Sequence, residues 1–313
     1  MTDEPKDPKR RQVVAAGGLL GAAGALWSAL PFAGSAGYAF GANMNDADLI
    51  LRNGKFHTVD PERPQATAVA IKNGRFIAVG SDAEAMATKG AATKVIDLNK
   101  RTAIPGLNDS HLHLIRGGLN YNLELRWEGV PSLADALRML KAQADRTPTP
   151  QWVRVVGGWN EFQFAEKRMP TLAEINQAAP DTPVFLLHLY DRALLNRAAL
   201  RVVGYTKDTP NPPGGEIQRD ANGEPTGMLI ARPNAMILYS TLSKGPALPL
   251  EYQVNSTRQF MRELNRLGLT SAIDAGGGYQ NYPDDYQVIQ QLADNDQLTV
   301  RIAYNLFTQK PKE

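Results

Sequence analysis

The sequence predicts an α/β protein with a parallel-stranded core, entered through a small β-domain. Short apolar runs at 152–156, 183–190, 270–274 and 299–306 alternate with helix-periodic stretches at 132–145, 171–179, 193–203, 250–267 and 284–295. That alternation is the mark of parallel strands joined by helices, and the runs are short enough to be buried strands. The other observation is local: His111 and His113 stand in Asn108-Asp109-Ser110-His111-Leu112-His113, directly behind Ile104-Pro105-Gly106. At i and i+2 two imidazoles share a face of a strand, whereas on a helix they diverge by roughly 200°. The pair therefore belongs at the C-terminal end of a strand, where barrels and open α/β sheets collect their chemistry.

In chain order, Lys9-Arg10-Arg11 introduces a Gly/Ala-rich apolar run to about Leu30, which reads as a twin-arginine-type export signal, with small residues around Ala36 and Ala39 as cleavage sites. An uncleaved membrane anchor is the other reading of the same run. From Asp48 to Asp97 the pattern is strands and tight turns, with Asn53-Gly54 and Asn73-Gly74 both suited to type I′ hairpins. Downstream, Thr171 with Glu174 forms a capping-box pattern, and Gly268 stands where a helix stop belongs. The Pro/Gly-rich 209–215 and a hairpin pattern over 214–230, turning at Asn222-Gly223, interrupt the rhythm as an inserted β-element.

Composition narrows the chemistry. A net charge of +2 over 313 residues gives no nucleic-acid footprint. With no cysteine, thiol nucleophiles, thiolate metal sites and disulfides are excluded, so any metal is held by nitrogen and oxygen ligands. No Gly-x-Ser-x-Gly elbow supports covalent hydrolysis. Asp274-Ala275-Gly276-Gly277-Gly278 lacks the spacing and the Lys-Ser/Thr of a phosphate loop and reads as a strand-to-helix turn.

Four segments carry a family resemblance: Leu49-Ile50-Leu51-Arg52-Asn53-Gly54, Ile71-Lys72-Asn73-Gly74-Arg75-Phe76-Ile77-Ala78-Val79-Gly80, Ile104-Pro105-Gly106-Leu107-Asn108-Asp109-Ser110-His111-Leu112-His113, and Asp208-Thr209-Pro210-Asn211-Pro212-Pro213-Gly214-Gly215-Glu216-Ile217. On these residues the chain, from about Asp48 to its end, resembles the amidohydrolase superfamily, specifically the amidohydrolase family 3 branch that includes N-substituted formamide deformylases. The resemblance implies a metal-dependent-hydrolase type (β/α)8 TIM barrel with a small β-sandwich built from both ends of the chain, and it implies His111 and His113 as metal ligands. On that frame residues 1–43 are the export signal and linker. Residues 44–102 are part of the β-sandwich, and 103–313 are the N-terminal part of the barrel, incomplete here, with the β insertion near 205–248. Family members complete the metal site on later strands with a Lys or Glu carboxyl bridge, further histidines and an aspartate; here no histidine follows His188. Where members carry Asp-Gly-His before Asn-x-x-Ala-Leu, anchoring on Asn196 and Ala199-Leu200 places Leu189, Tyr190 and Asp191.

The implied function is hydrolysis of a non-peptide C–N bond, in an amide or formamide, by metal-activated water, with a divalent metal, zinc by preference, as cofactor. The expected partners are a small amide-type substrate and the twin-arginine export machinery, with no nucleic acid and with the membrane met only through the signal; the protein would work in the periplasm or outside a bacterial cell. The competing expectation is a noncatalytic fragment or a binding protein on a degenerate barrel. Second-tier candidates for substrate contact are Trp159 and Asn160, behind Gly157-Gly158, and His188 at the end of its apolar run. A plain turn with a packing tryptophan and a satisfied core histidine are the alternatives. Asp191-Arg192 reads as a surface ion pair, and His57 as a solvent-exposed residue with no role. No catalytic residue is assigned.

Overall fold

A computed structural model describes residues 46–276 and 280–306. The export-signal reading of residues 1–43 lies outside the described residues, as do Gly277 and Gly278. The chain forms two compact units, one chiefly of residues up to 103 and one from Ile104 onward.

In the first unit β1 (Leu49–Arg52), β2 (Lys55–His57), β3 (Gln65–Ala66), β4 (Ala68–Lys72), β5 (Arg75–Gly80), helix α1 (Asp82–Met86), β6 (Lys94–Asp97) and β7 (Thr102–Ala103) build two small sheets, ordered β5-β4-β1-β6 and β3-β2-β7. Ile50, Ala68, Ala70 and Ala85 are fully buried between strand and helix. The β4–β5 hairpin turns at Asn73 (φ 48°) and Gly74 (φ 71°), the paired positive φ of a type I′ turn. Asn53-Gly54 does not make the expected second hairpin, because β1 and β2 pair into different sheets. Asn53 (φ 53°) is instead tied by its backbone N–H to the Asp82 carboxylate at 3.1 Å and by its side-chain amide to Asp97 at 2.8 Å. Gly54 serves close packing: an added Cβ would stand 2.7 Å from the Phe56 ring and 2.8 Å from Leu98.

The second unit runs β8 (Leu107–Leu112), α2 (Leu114–Asn120), β9 (Glu124–Leu125), α3 (Leu133–Arg146), β10 (Val153–Val155), α4 (Leu172–Ala178), β11 (Val184–His188), β12 (Arg192–Leu195), α5 (Arg197–Val203), β13 (Gly215–Arg219), β14 (Pro225–Ala231), α6 (Met236–Leu242), α7 (Leu250–Arg266), β15 (Leu269–Asp274), α8 (Gln287–Asp294) and β16 (Arg301–Tyr304). It is a mixed α/β fold. β9, β10 and β11 pair in parallel, and β12, β14 and β13 extend that sheet antiparallel. β15 pairs in parallel with β8 on one side and β16 on the other. Val153 and Val155 bury one face of β10 against Leu140 of α3 and Ile175 of α4, while Trp152 turns to a second cluster with Phe185 and Leu238.

The helices expected at 132–145, 171–179 and 250–267 form as α3, α4 and α7, with Ser132 and Thr171 as side-chain N-caps and the Thr171–Glu174 box present. Gly268 follows α7 at φ 88°. The 284–295 stretch begins as a 3-10 turn, Asp284–Tyr286, before α8. The helix expected at 193–203 is corrected: its first residues are the central strand β12, and only Arg197–Val203 is helical. Asn196 causes the break. Fully buried, it accepts the N–H of Ala199 at 2.9 Å as a helix cap and that of Val184 at 3.0 Å, while its amide donates to the carbonyls of Ala179 and Thr182.

Candidate functional site

β8 brings His111 to its last turn of pleat, and His113 falls one residue past the strand, at the N-cap of α2. The extended backbone predicted for both holds at His111 only; His113, at φ −94° and ψ 65°, has already left the strand. The two rings meet edge to face, 5.4 Å between centroids and 82° between planes. Asp109 steadies the backbone, its carboxylate accepting the His111 N–H at 2.9 Å. His111 is exposed and His113 half-buried, and the His113 Nδ1 is buried with no hydrogen-bond partner. Burial, then the nearby Arg116 guanidinium, hold the His113 ring below its ordinary pKa against the opposing pull of the Gly276 carbonyl and Asp274. That favours the neutral imidazole, which is the metal-ligating form.

Asp274, at the end of β15, lies beside Leu112 in the ladder and is fully buried. One of its oxygens accepts the Ile115 N–H at 2.7 Å and the other the Gly276 N–H at 2.8 Å. His113 gives α2 no side-chain cap, and Asp274 supplies that function from across the sheet.

Behind His113 opens a cavity of about 490 Å³, whose wall includes Arg116, Glu124, Arg126, Arg154 and Tyr239. Burial pushes the Glu124 carboxyl up to about 7 despite the pull of Arg126 and Arg154, so both its forms are populated at neutral pH. The Arg126 guanidinium reaches Glu124 at 2.6 Å and lies over the Tyr121 ring at 4.2 Å.

The second-tier candidates are engaged within the fold. Trp159 is 1% exposed, packs edge to face on Trp127 at 5.0 Å and donates its indole N–H to the Leu187 carbonyl at 2.9 Å. Asn160 caps the 3-10 turn Glu161–Gln163, accepting the Phe162 N–H at 2.9 Å. His188 is buried with both ring nitrogens on carboxylates, Nε2 to Glu161 at 2.6 Å and Nδ1 to Asp191 at 3.0 Å. Asp191 also receives Arg192 at 2.8 Å. His57 is exposed on β2. Gly157 and Gly158 do line the cavity, and a Cβ on Gly158 would stand 2.6 Å from the Glu128 side chain.

Do the residues present suit a metal? The pair offers two imidazoles, one held toward its neutral form with a buried ring nitrogen lacking a partner, and this suits part of a nitrogen ligand set. Among the described residues no group of three or more His, Asp or Glu side chains is placed to hold a metal ion, so the fit is that of a partial set. Arg116, Glu124, Arg154 and Asp274 were not singled out by sequence as site residues. The one local signal was a charged residue inside an apolar run, as in Trp152–Val156 and Thr270–Asp274.

Residues 94–313 match the Amidohydrolase family. The chain is 33% identical over 259 residues to the protein LONG AFTER FAR-RED 3 of Arabidopsis thaliana, covering 80% of this chain and 42% of that one. It is 30% identical over 230 residues to the N-substituted formamide deformylase of Arthrobacter pascens, covering 73% and 42%. It thus spans less than half the length of these curated relatives. A solved structure of an uncharacterized metal-dependent hydrolase from Pyrococcus horikoshii OT3 shares the fold, with a TM-score of 0.56 at 20% identity, over 82% of this chain and 48% of that one. On the family match and these likenesses, the chain belongs to the Amidohydrolase family, in its family 3 branch.

Proposed function

We propose that the whole protein is a metal-dependent hydrolase of amide or formamide C–N bonds other than peptide bonds. The observation that carries this reading is the His111–His113 pair at the end of β8, with its unpartnered His113 Nδ1 beside a cavity of small-molecule size. The deformylase activity in the name of the Arthrobacter relative supports the choice of bond. His111 and His113 would hold the ion, and zinc suits neutral imidazole nitrogen with open positions. When bound, the ion supplies a Lewis acid for the substrate carbonyl and lowers the pKa of a water. The chain's own residues do the rest: Asp274 fixes the first turn of α2 behind the pair, and Glu124 holds or releases a proton in the cavity wall near neutral pH.

The parallel ladders β9-β10-β11 and β8-β15-β16 support an architecture in which this chain carries part of a (β/α)8 barrel. Residues 44–102 would contribute to a small β-sandwich, and the β13–β14 hairpin would be the insertion. We further propose that residues 1–43 direct export by the twin-arginine route to the periplasm or beyond. Mass spectrometry that finds Met1 or Thr2 on the exported protein rejects cleavage of that segment.

A second reading, a binding protein on a degenerate barrel, is favoured by Asp191. Where family members place a histidine, this side chain is committed to His188 and Arg192. One experiment separates the readings: elemental analysis and amine release from N-substituted formamides, on the full-length protein and on His111→Ala/His113→Ala. The hydrolase reading expects zinc and turnover in the parent and loss of both in the double variant. Unchanged metal content in the variant overturns the ligand assignment, and a zinc-loaded parent that releases no amine overturns the reaction.

A further inference from the structure

The cavity behind His113 draws three guanidinium groups from three separate places: Arg116 from α2, Arg126 from the segment after β9, and Arg154 from β10. Hydrolysis of a neutral amide calls for no such concentration of cations. Arg126 takes Glu124 at 2.6 Å and Glu128 at 3.4 Å, and Arg116 lies over the Tyr239 ring at 4.6 Å.

Arg154 is the unusual member. It is 6% exposed, its Nε is buried with no hydrogen-bond partner, and its Nη2 donates to the Pro246 carbonyl at 3.3 Å. The carboxylate whose charge acts on Arg154 is Glu124, which is itself paired to Arg126, and the planar guanidinium fork of Arg154 matches the two oxygens of a further carboxylate or phosphate. The fold also makes room for it: a Cβ on Gly245 would stand 3.1 Å from Arg154 Nη2 and 3.2 Å from the Trp152 ring. Leu112, Val156, Leu187 and Phe260 add an apolar stretch of wall that suits a hydrocarbon body, beside the polar Asn120, Ser243 and Gln253 and the acidic Asp285.

We propose that this cavity binds the anionic group of a small molecule, a carboxylate or a phosphate ester, with Arg154 as the buried anchor and Arg116 and Arg126 flanking it. The ligand is an organic anion with an apolar body. The inference does not depend on the metal reading, since it concerns the arginine wall alone.

The test is isothermal titration calorimetry on the chelator-treated 313-residue chain at neutral pH and low salt, with benzoate, phenyl phosphate and neutral benzamide as probes. The expected result is that benzoate or phenyl phosphate binds at least about tenfold more tightly than benzamide and weakens as salt is raised. The tighter of the two identifies the anion. Arg154→Met, with an unchanged near-UV spectrum, should lose about tenfold or more of that affinity. Equal binding of benzamide, no binding of any probe, or full affinity in folded Arg154→Met each overturns the proposal; if that variant does not fold, the three probes and the salt series on the parent decide. Because the protein is stripped of metal, failure here leaves the zinc reading standing, and failure of zinc binding leaves this result unaltered.

Discussion

Asp274 accepts the backbone N–H of Ile115 at 2.7 Å, joining the end of β15 to the first turn of α2 two residues past His113. The same carboxylate accepts Gly276 N–H at 2.8 Å, so two buried donors depend on it. Asp274→Ala strands both and should cost about 2–4 kcal/mol, at about 1–3 kcal/mol for each unsatisfied group with some relaxation. Urea unfolding measures it. The variant should also weaken zinc retention, because the backbone that presents His113 is no longer pinned. A loss below about 0.5 kcal/mol would mean that water reaches these donors.

Glu124 gives a pH signature of opposite sign to that of an ordinary ion-paired carboxylate. Its folded pKa of about 7 lies above the ordinary 4.5, because burial outweighs Arg126 and Arg154. The native state therefore holds the proton more tightly than the unfolded chain, and stability falls as pH rises from 4.5 through 7. Glu124→Gln removes that penalty. Thermal melts should show the variant gaining on the parent by about 1–3 kcal/mol between pH 5 and 8, a range set by the cost of about 1.4 kcal/mol per pKa unit. A constant difference across that window contradicts the burial argument.

Much of this architecture is legible where local rules and tertiary packing agree. Ser132 and Thr171 start α3 and α4 because their hydroxyls satisfy the first N–H groups, and Asn73-Gly74 turns a hairpin because both residues tolerate positive φ. α2 is hidden because Gly117-Gly118 is a poor helix former; the helix stands on its packing, with Gly118 so close to Thr257 that a Cβ would lie 2.8 Å from its hydroxyl. Residues 193–195 have helical periodicity but are claimed by sheet pairing, with Leu194 opposite both Leu186 and Met228. The same division holds at the site. His111 and His113 are neighbours in sequence and so are visible as a pair, whereas Arg116, Glu124 and Arg154 come from α2, β9 and β10 and meet only in the folded cavity wall, and Asp274 reaches the start of α2 only from β15.

Gly227 is a position where only glycine serves. Its φ is 87°, and an added Cβ would run into the Leu195 carbonyl oxygen of the neighbouring strand, which is backbone and cannot swing aside. Gly227→Ala should destabilise the second unit by at least about 2 kcal/mol, combining left-handed strain with the displaced strand. In urea the midpoint should fall with no change in slope. A midpoint within error of the parent would mean that β14 slides without cost.

His188 and Glu161 supply the last prediction. The 2.6 Å contact sets the buried His188 ring on the half-buried Glu161, and Asp191 at 3.0 Å holds the other ring nitrogen, so the ring ties the end of β11 to the loops on either side. Burial by itself would raise the Glu161 carboxyl, yet its own backbone N–H and the hydrogen bond and charge of His188, together with Arg192, hold it below the ordinary 4.5. A depressed carboxylate contributes stability that is fully present above 4.5 and is lost as pH falls through the folded value. Glu161→Gln should therefore melt below the parent at neutral pH, by about 1–2 kcal/mol for a half-buried charged hydrogen bond, and the gap should close as the pH is lowered beneath about 4.5. His188→Phe should show the same deficit at neutral pH, because it leaves both carboxylates without the ring that lowers them. If instead the Glu161→Gln gap persists undiminished into acid, the carboxylate acts through shape and not through charge, and the pH profile of His188→Phe should then be flat as well.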